Sequence, residues 1–120
     1  KYSRQGLKMV GINSNDAENY PDDSFENMKK VAREKGFGFD YLYDETQEVA
    51  KKYGAVCTPD PFLFDADFKL AYHGRFDDAL SPEKVPKQFD MEAALDAVLA
   101  GRKPPHDFLY SQGCSIKWKP

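Results

Sequence analysis

The stretch that decides the fold is Tyr53-Gly54-Ala55-Val56-Cys57-Thr58-Pro59-Asp60-Pro61-Phe62-Leu63-Phe64, in the middle of the chain. Pro59 disfavours a helical conformation at Thr58, so this part predicts a loop. Because Pro61 has no N–H to donate to a strand ladder, a strand is expected to begin there or just after it. The stretch therefore predicts a proline-rich loop that leads into a short apolar strand.

After the loop, the sequence predicts a hairpin, a helix and a tail. Leu70-Ala71-Tyr72-His73 pairs with the first strand, and the residues between them form the turn. Asp90 is expected to cap a helix that ends at Gly101. The predicted inner face of this helix consists of Ala94, Leu95, Val98 and Leu99. Residues 103–120 contain three prolines and no period, so they predict an extended tail outside a partial domain at 1–102.

Before the loop, the chain predicts a strand followed by a helix. Leu7 to Asn13 is a short apolar run of the kind that forms buried parallel strands. The helix after it is expected to be capped by Asp23 or Ser24 and to end near Lys35, with Gly36 in the left-handed conformation.

A short extended segment and a second helix complete this half. Phe39 to Tyr43 is aromatic-rich and predicts a short strand. Thr46 is expected to cap the following helix, and Gly54 to close it. Its predicted inner face consists of Val49, Ala50 and Tyr53. The order of elements indicates an α/β protein.

Composition narrows the class of protein. A length of 120 residues suits one domain. The composition, with 41% hydrophobic and 31% charged residues, excludes a disordered tail. No apolar run approaches the ~20 residues of a spanning helix, so no membrane partner is expected. The net charge of −3 and the lack of a basic stripe argue against nucleic acid. The first residue is Lys1 rather than Met, which suggests a fragment and leaves the compartment open, with the cytoplasm as a guess.

Several stretches together resemble the thioredoxin superfamily, in its peroxiredoxin-like branch related to AhpC/TSA proteins. The stretches that carry the resemblance are Gly11-Ile12-Asn13-Ser14-Asn15-Asp16, Tyr43-Asp44-Glu45-Thr46-Gln47-Glu48-Val49-Ala50, Tyr53-Gly54-Ala55-Val56-Cys57-Thr58-Pro59-Asp60, Phe64-Asp65-Ala66-Asp67, Gly74-Arg75-Phe76-Asp77-Asp78 and Gly113-Cys114-Ser115-Ile116-Lys117-Trp118-Lys119-Pro120.

The resemblance implies a thioredoxin-like three-layer α/β/α fold. It places the first core strand, and the helix that carries the nucleophilic cysteine, before Lys1, so the chain is expected to lack both. An oligomer that fills the missing strand is one expectation. Relatives usually have glycine where Phe68 stands, which leaves the type of the hairpin turn open.

The resemblance also assigns the substrate-binding residues, Thr58 and Pro59. It implies a cis bond between them and a Thr58 backbone that contacts an extended substrate. Cis bonds are essentially confined to residues that precede proline. Without the resemblance, the favoured interpretation is an ordinary trans proline at the start of a strand.

The two cysteines are candidate redox thiols. Cys57 is a candidate partner of the upstream nucleophile, or a small buried thiol, since no basic residue adjoins it to favour a thiolate. Cys114, on the tail, is a candidate resolving thiol that attacks a sulfenic acid, or an incidental surface cysteine.

Other polar residues predict no further site. His73 is expected to be structural and His106 solvated. Asp65 and Asp67 have the spacing that begins a calcium loop, but the acidic residue that closes such a loop is missing. No metal and no cofactor are expected.

The resulting functional prediction is a thiol–disulfide oxidoreductase or a peroxiredoxin-like antioxidant protein. Its substrate would be a peroxide or a disulfide, with a thiol as electron donor. The alternative is a non-catalytic thioredoxin-like module that binds an extended peptide along Thr58 and Pro59.

Overall fold

The structure is a computed structural model that describes residues 6–79, 83–111 and 113–120. Its contacts divide the chain into two compact units. The first unit comprises 1–56 with 116–120, and the second comprises 57–115. Each unit contains both helix and strand, which confirms the predicted α/β class. The proposed boundary at residue 102 stays a prediction.

The first unit contains a pair of parallel strands connected through a helix. Strand β1 (Val10–Asn13) pairs with β2 (Asp40–Tyr43), and Val10 lies opposite Asp40. Parallel strands require a crossover, which here contains helix α1 (Phe25–Lys35), preceded by a 3₁₀ turn at Pro21–Asp23. Strand β1 begins three residues after the predicted Leu7.

Helix α1 begins and ends as predicted. Ser24, rather than Asp23, is its N-cap, and the Ser24 hydroxyl accepts a hydrogen bond from the Asn27 N–H at 3.1 Å. Gly36 follows Lys35 with a φ of 61°, which is a left-handed conformation. Local residue types therefore suffice to define both ends of this helix.

Helix α2 (Glu48–Tyr53) departs from the prediction at its start. The expected cap, Thr46, is wrong, because the N-cap is Gln47 and the N–H groups of Val49 and Ala50 donate to the carboxylate of Asp44. The expected inner face is also wrong in part: Ala50 is buried, but Val49 and Tyr53 are exposed. Gly54 closes the helix as predicted.

The second unit contains a three-stranded sheet, a two-stranded ladder and a helix. Strands β4 (Phe62–Phe64) and β5 (Leu70–Gly74) form the predicted antiparallel hairpin. Strand β6 (Phe108–Leu109) adds to β5 in parallel. Strand β3 (Cys57–Thr58) pairs with β7 (Cys114–Ser115). Both β6 and β7 come from the predicted tail, so two of its segments are ordered by strand pairing.

Helix α3 (Asp90–Leu99) packs against β5 and differs from the prediction in its cap and its face. Asp90 is the first helical residue rather than the cap, and its carboxylate accepts a hydrogen bond from Arg75 Nε at 2.7 Å. An ion pair with Arg75, the residue that follows β5, thus takes the place of the local capping contact. The buried face consists of Met91, Ala94 and Ala97, whereas Leu99 is exposed.

Phe68 occupies the hairpin turn in a left-handed backbone conformation that favours glycine. Its φ is 61° and its side chain is 89% exposed. The turn is closed by Asp65, whose Oδ1 accepts hydrogen bonds from the N–H groups of Asp67 and Lys69. These side-chain contacts hold the turn without glycine.

Candidate thiol site

The candidate site is the ladder between β3 and β7. The strands are antiparallel, with Cys57 opposite Ser115 and Thr58 opposite Cys114. The Thr58 hydroxyl also donates to the carbonyl of Cys114 at 3.4 Å. The chain's own tail therefore lies against the residue to which the resemblance assigns substrate contact.

Gly113 allows this approach. A Cβ atom at position 113 would lie 2.0 Å from the carbonyl oxygen of Thr58, which is well inside contact distance. A residue with a side chain at this position would force the two strands apart. The close contact explains why glycine directly precedes Cys114.

The two cysteines face opposite sides of the ladder. Directly opposed residues on neighbouring strands share a face, and successive residues alternate between faces. Cys114 thus shares a face with Thr58, and Cys57 shares the other face with Ser115. Both cysteines are free, and this register does not bring their sulfur atoms together.

Cys57 is held as a protonated thiol. It is half-buried, and its Sγ donates to the carbonyl oxygen of Pro59 at 3.7 Å. Burial raises the pKa of Cys57, the negative charge of Asp60 raises it further, and a hydrogen bond with Ser111 opposes them. Whether Cys57 is a redox partner of the upstream nucleophile or a small buried thiol stays a prediction.

Cys114 is the accessible thiol of the pair. It is exposed, on a short strand that is fixed by its ladder with β3. The candidate resolving thiol is therefore presented to solvent beside Thr58. Its role in the reaction stays a prediction.

The peptide bond between Thr58 and Pro59 is cis, as the resemblance implies. Pro59 also borders a recess of about 140 Å³ in the second unit. The residues that line the recess are Pro59, Pro61, Arg75, Phe76, Asp77 and Ala79. The guanidinium of Arg75 is paired with Asp90, so its charge is already balanced at the edge of this recess.

A buried carboxylate beside the loop escaped the sequence analysis. The Asp60 side chain is 3% exposed and accepts hydrogen bonds from Ser111 Oγ at 2.7 Å and from His73 Nε2 at 2.6 Å. His73 also stacks on Phe62, with ring centroids 4.0 Å apart, which confirms its structural role. An acidic residue between two prolines, next to an apolar strand, was the only available signal for Asp60.

The described residues contain neither a cluster of metal ligands nor a helix that could span a membrane. Among them, no three His, Cys, Asp or Glu residues are grouped so as to hold an ion. None of the helices in the described ranges has the length and the apolar composition that crossing a bilayer requires. His106 lies exposed at the surface.

Comparison with known proteins identifies the family. A sequence model of the AhpC/TSA family matches residues 1–73, which is more than half of the chain. The chain belongs to the AhpC/TSA family. No protein of curated function matches it.

Two solved structures share the fold of this AhpC/TSA-family chain. An uncharacterized conserved protein from Geobacillus kaustophilus is 57% identical, with a TM-score of 0.92, over 99% of this chain and 64% of its own. A hypothetical protein from Sinorhizobium meliloti is 47% identical, with a TM-score of 0.91, over 98% of this chain and 65% of its own. The chain thus has the thioredoxin-like α/β fold and spans somewhat less than two thirds of the length of these neighbours.

Proposed function

We propose that this chain belongs to a thiol peroxidase or thiol–disulfide oxidoreductase in which Cys114 is the resolving thiol. The observation that carries the proposal is the register of the β3–β7 ladder, which sets Cys114 directly opposite Thr58. Membership of the AhpC/TSA family supports the class of reaction. The nucleophilic cysteine is the one that the resemblance places upstream of Lys1.

The proposed reaction has two covalent steps. The upstream thiolate attacks a peroxide: an S–O bond forms, the O–O bond breaks, and the alcohol or water leaves with a proton. The thiol of Cys114 then attacks the sulfenic sulfur: an S–S bond forms, the S–O bond breaks, and water leaves with the thiol proton. An external dithiol reduces the disulfide by exchange and becomes the oxidised product.

Exposure and register favour Cys114 over Cys57 for the second step. Resolution requires a sulfur that can approach another residue from solvent, and Cys114 is exposed. Cys57 faces the other side of the ladder, and its thiol donates to Pro59. Burial raises the pKa of Cys57 and the charge of Asp60 raises it further, so the thiolate, which is the attacking species, is disfavoured there.

The test is oxidation of the full-length protein with stoichiometric hydrogen peroxide, followed by peptide mass spectrometry. We expect a disulfide between Cys114 and the upstream cysteine, lost in Cys114→Ser and retained in the matched variant Cys57→Ser. In Cys114→Ser the upstream cysteine should accumulate as sulfenic acid, detectable by dimedone labelling. Loss of the disulfide in Cys57→Ser, with retention in Cys114→Ser, would contradict the proposal.

The alternative function is binding of an extended peptide beside Pro59. The recess that Pro59 lines favours it, because it offers a place for a side chain. However, β7 already occupies the edge of β3, so a peptide that adds a strand there has to displace the tail. The oxidation experiment separates the two functions, because a binding module forms no peroxide-dependent disulfide.

A further inference from the structure

Strand β7 fills the pairing edge of β3 with a segment of the chain's own tail. The two strands are hydrogen-bonded neighbours in antiparallel orientation, and Cys114 lies directly opposite Thr58. The Thr58 hydroxyl adds a hydrogen bond to the carbonyl oxygen of Cys114 at 3.4 Å. An open strand edge is where an extended polypeptide can add itself as a further strand. The tail therefore holds the position that such a polypeptide would need.

The close contact at Gly113 shows how tightly this edge is closed. A Cβ atom added at position 113 would lie 2.0 Å from the carbonyl oxygen of Thr58 and 2.7 Å from its carbonyl carbon. A gap that cannot accept one methyl group cannot accept a second backbone. A polypeptide can thus reach this edge of β3 only by displacing β7.

A buried hydrogen bond fastens the tail shortly before β7. Ser111, which lies three residues before Cys114 in the sequence, donates its hydroxyl to Asp60 Oδ1 at 2.7 Å. The Asp60 side chain is 3% exposed and also accepts a hydrogen bond from His73 Nε2 at 2.6 Å. Removing a donor from a buried acceptor is costly, because water does not replace it. The tail is therefore held by this bond as well as by the ladder itself.

Tethering also favours the tail over a free polypeptide. A segment that is joined to its site by the same chain acts at an effective concentration on the order of millimolar. A free polypeptide at about 1 μM that made equal contacts would fill the edge roughly a thousandfold less often. A molecule that needs no strand pairing escapes this competition, and the thiol of Cys114 stays exposed to it.

We infer that β7 is a built-in occupant of the β3 edge, which excludes extended polypeptides and restricts the thiol site to peroxides small enough to react without strand pairing. The substrate class rests on the proposed function, whereas the closure of the edge does not. A disulfide within a protein brings its own backbone to the site, and that backbone meets an edge that is already paired beside Cys114. Of the two proposed activities, this arrangement selects the thiol peroxidase.

The first test is binding of an unfolded polypeptide to the full-length protein. The probe is labelled, carboxymethylated insulin B chain, which has no free thiol, and binding is followed by fluorescence anisotropy. Cys114→Pro removes an N–H from β7 and should detach the strand, so we expect the probe to bind at least about tenfold more tightly. Cys114→Ser is the matched control, because it loses the same thiol but keeps the N–H. It should bind the probe as weakly as the unchanged protein.

The second test compares substrates in a variant that keeps Cys114. With dithiothreitol as electron donor, the unchanged full-length protein should consume hydrogen peroxide and should reduce the disulfides of insulin no faster than dithiothreitol alone. Gly113→Ala pushes β7 away from Thr58, so it should accelerate insulin reduction severalfold. Gly38→Ala, where an added Cβ has no atom within 4 Å, should not.

The outcomes separate this inference from the proposed function. Equal binding of the B chain by the unchanged protein, Cys114→Pro and Gly113→Ala would overturn the inference, and so would rapid reduction of insulin by the unchanged protein. The binding measurement uses neither peroxide nor thiol, so it can fail while the resolving role of Cys114 stands. A protein that consumes neither substrate would contradict the proposed function, and the binding measurement would still decide whether β7 closes the edge.

Discussion

Asp44, the residue that follows β2, holds the first turn of helix α2. Its carboxylate accepts hydrogen bonds from the Ser14 hydroxyl at 2.7 Å and from the Ala50 N–H at 3.0 Å. Burial raises the pKa of Asp44, but hydrogen bonds from Ala50, Ser14, Val49 and Gln47 outweigh burial, so the pKa lies below its ordinary value of 3.8. The folded state therefore prefers the ionised carboxylate.

We expect Asp44→Ala to lower the free energy of unfolding of the full-length protein by about 1–3 kcal/mol at neutral pH, because it leaves buried donors unpaired. The matched variant Thr46→Ala should lower it by less, about 0.5 kcal/mol, because the Thr46 hydroxyl accepts a single long and exposed hydrogen bond, from the Glu48 N–H at 3.4 Å. Because the pKa of Asp44 is lowered in the folded state, its ionised carboxylate stabilises the fold at pH values above the pKa of the unfolded state. This stabilisation is lost as the pH falls through the pKa of the folded state. The difference in unfolding free energy between Asp44→Ala and the unchanged full-length protein, measured by urea titration, should thus shrink below about pH 4. A larger effect of Thr46→Ala would contradict this assignment.

Among the secondary-structure elements, the β3–β7 ladder depends on one close backbone contact. Gly113→Ala would place Cβ 2.0 Å from the Thr58 carbonyl oxygen, so β7 would have to move away. We expect the unfolding free energy of the full-length protein to fall by about 1–3 kcal/mol, which is the usual effect of adding atoms to a site that has no room for them. Amide exchange at Cys114 and Ser115, followed by mass spectrometry, should accelerate.

Gly38→Ala is the control for this prediction. No atom lies within 4 Å of a Cβ added at position 38, so this variant should leave exchange in β7 unchanged. Equal exchange at Cys114 in the two variants would show that the ladder does not depend on Gly113. The control also corrects for the lower entropy of the unfolded chain that any Gly→Ala change produces.

For the molecule as a whole, the apolar surface of the first unit predicts marginal stability in isolation. Val10, Ile12 and Leu42 on β1 and β2 are 52%, 43% and 51% exposed. Parallel strands are normally buried, and exposed apolar strands recruit partners. The 120-residue chain alone should melt broadly or self-associate, as measured by circular dichroism and sedimentation equilibrium. A sharp melt of a monomer would contradict this expectation.

Local patterns predicted the ends of α1, the end of α2 and the hairpin. Each depends on residues that are close in the sequence, such as Ser24 with Asn27, or the left-handed glycine at position 36. The first caps proposed for α2 and α3 were wrong for a common reason. Asp44 and Asp90 bind partners that lie outside the four-residue window in which a capping pattern is sought, namely Ala50 and Arg75.

The sequence by itself determined the family and the order of β1, α1, β2, α2, the hairpin and α3, because turn, cap and family patterns depend on neighbouring residues. It did not predict the two-residue strands β3, β6 and β7, and β3 lies at Cys57–Thr58, where a loop was predicted. Only the tertiary structure decided that Cys57 and Cys114 face opposite sides of one ladder, and that Asp60 binds Ser111, which lies 51 residues away. Strand register sets the first arrangement, and the pairing of β6 with β5 and of β7 with β3 brings the segment that contains Ser111 to Asp60. A shift of one residue reverses every side chain on a strand, and no local pattern encodes the register of a two-residue strand in a tail.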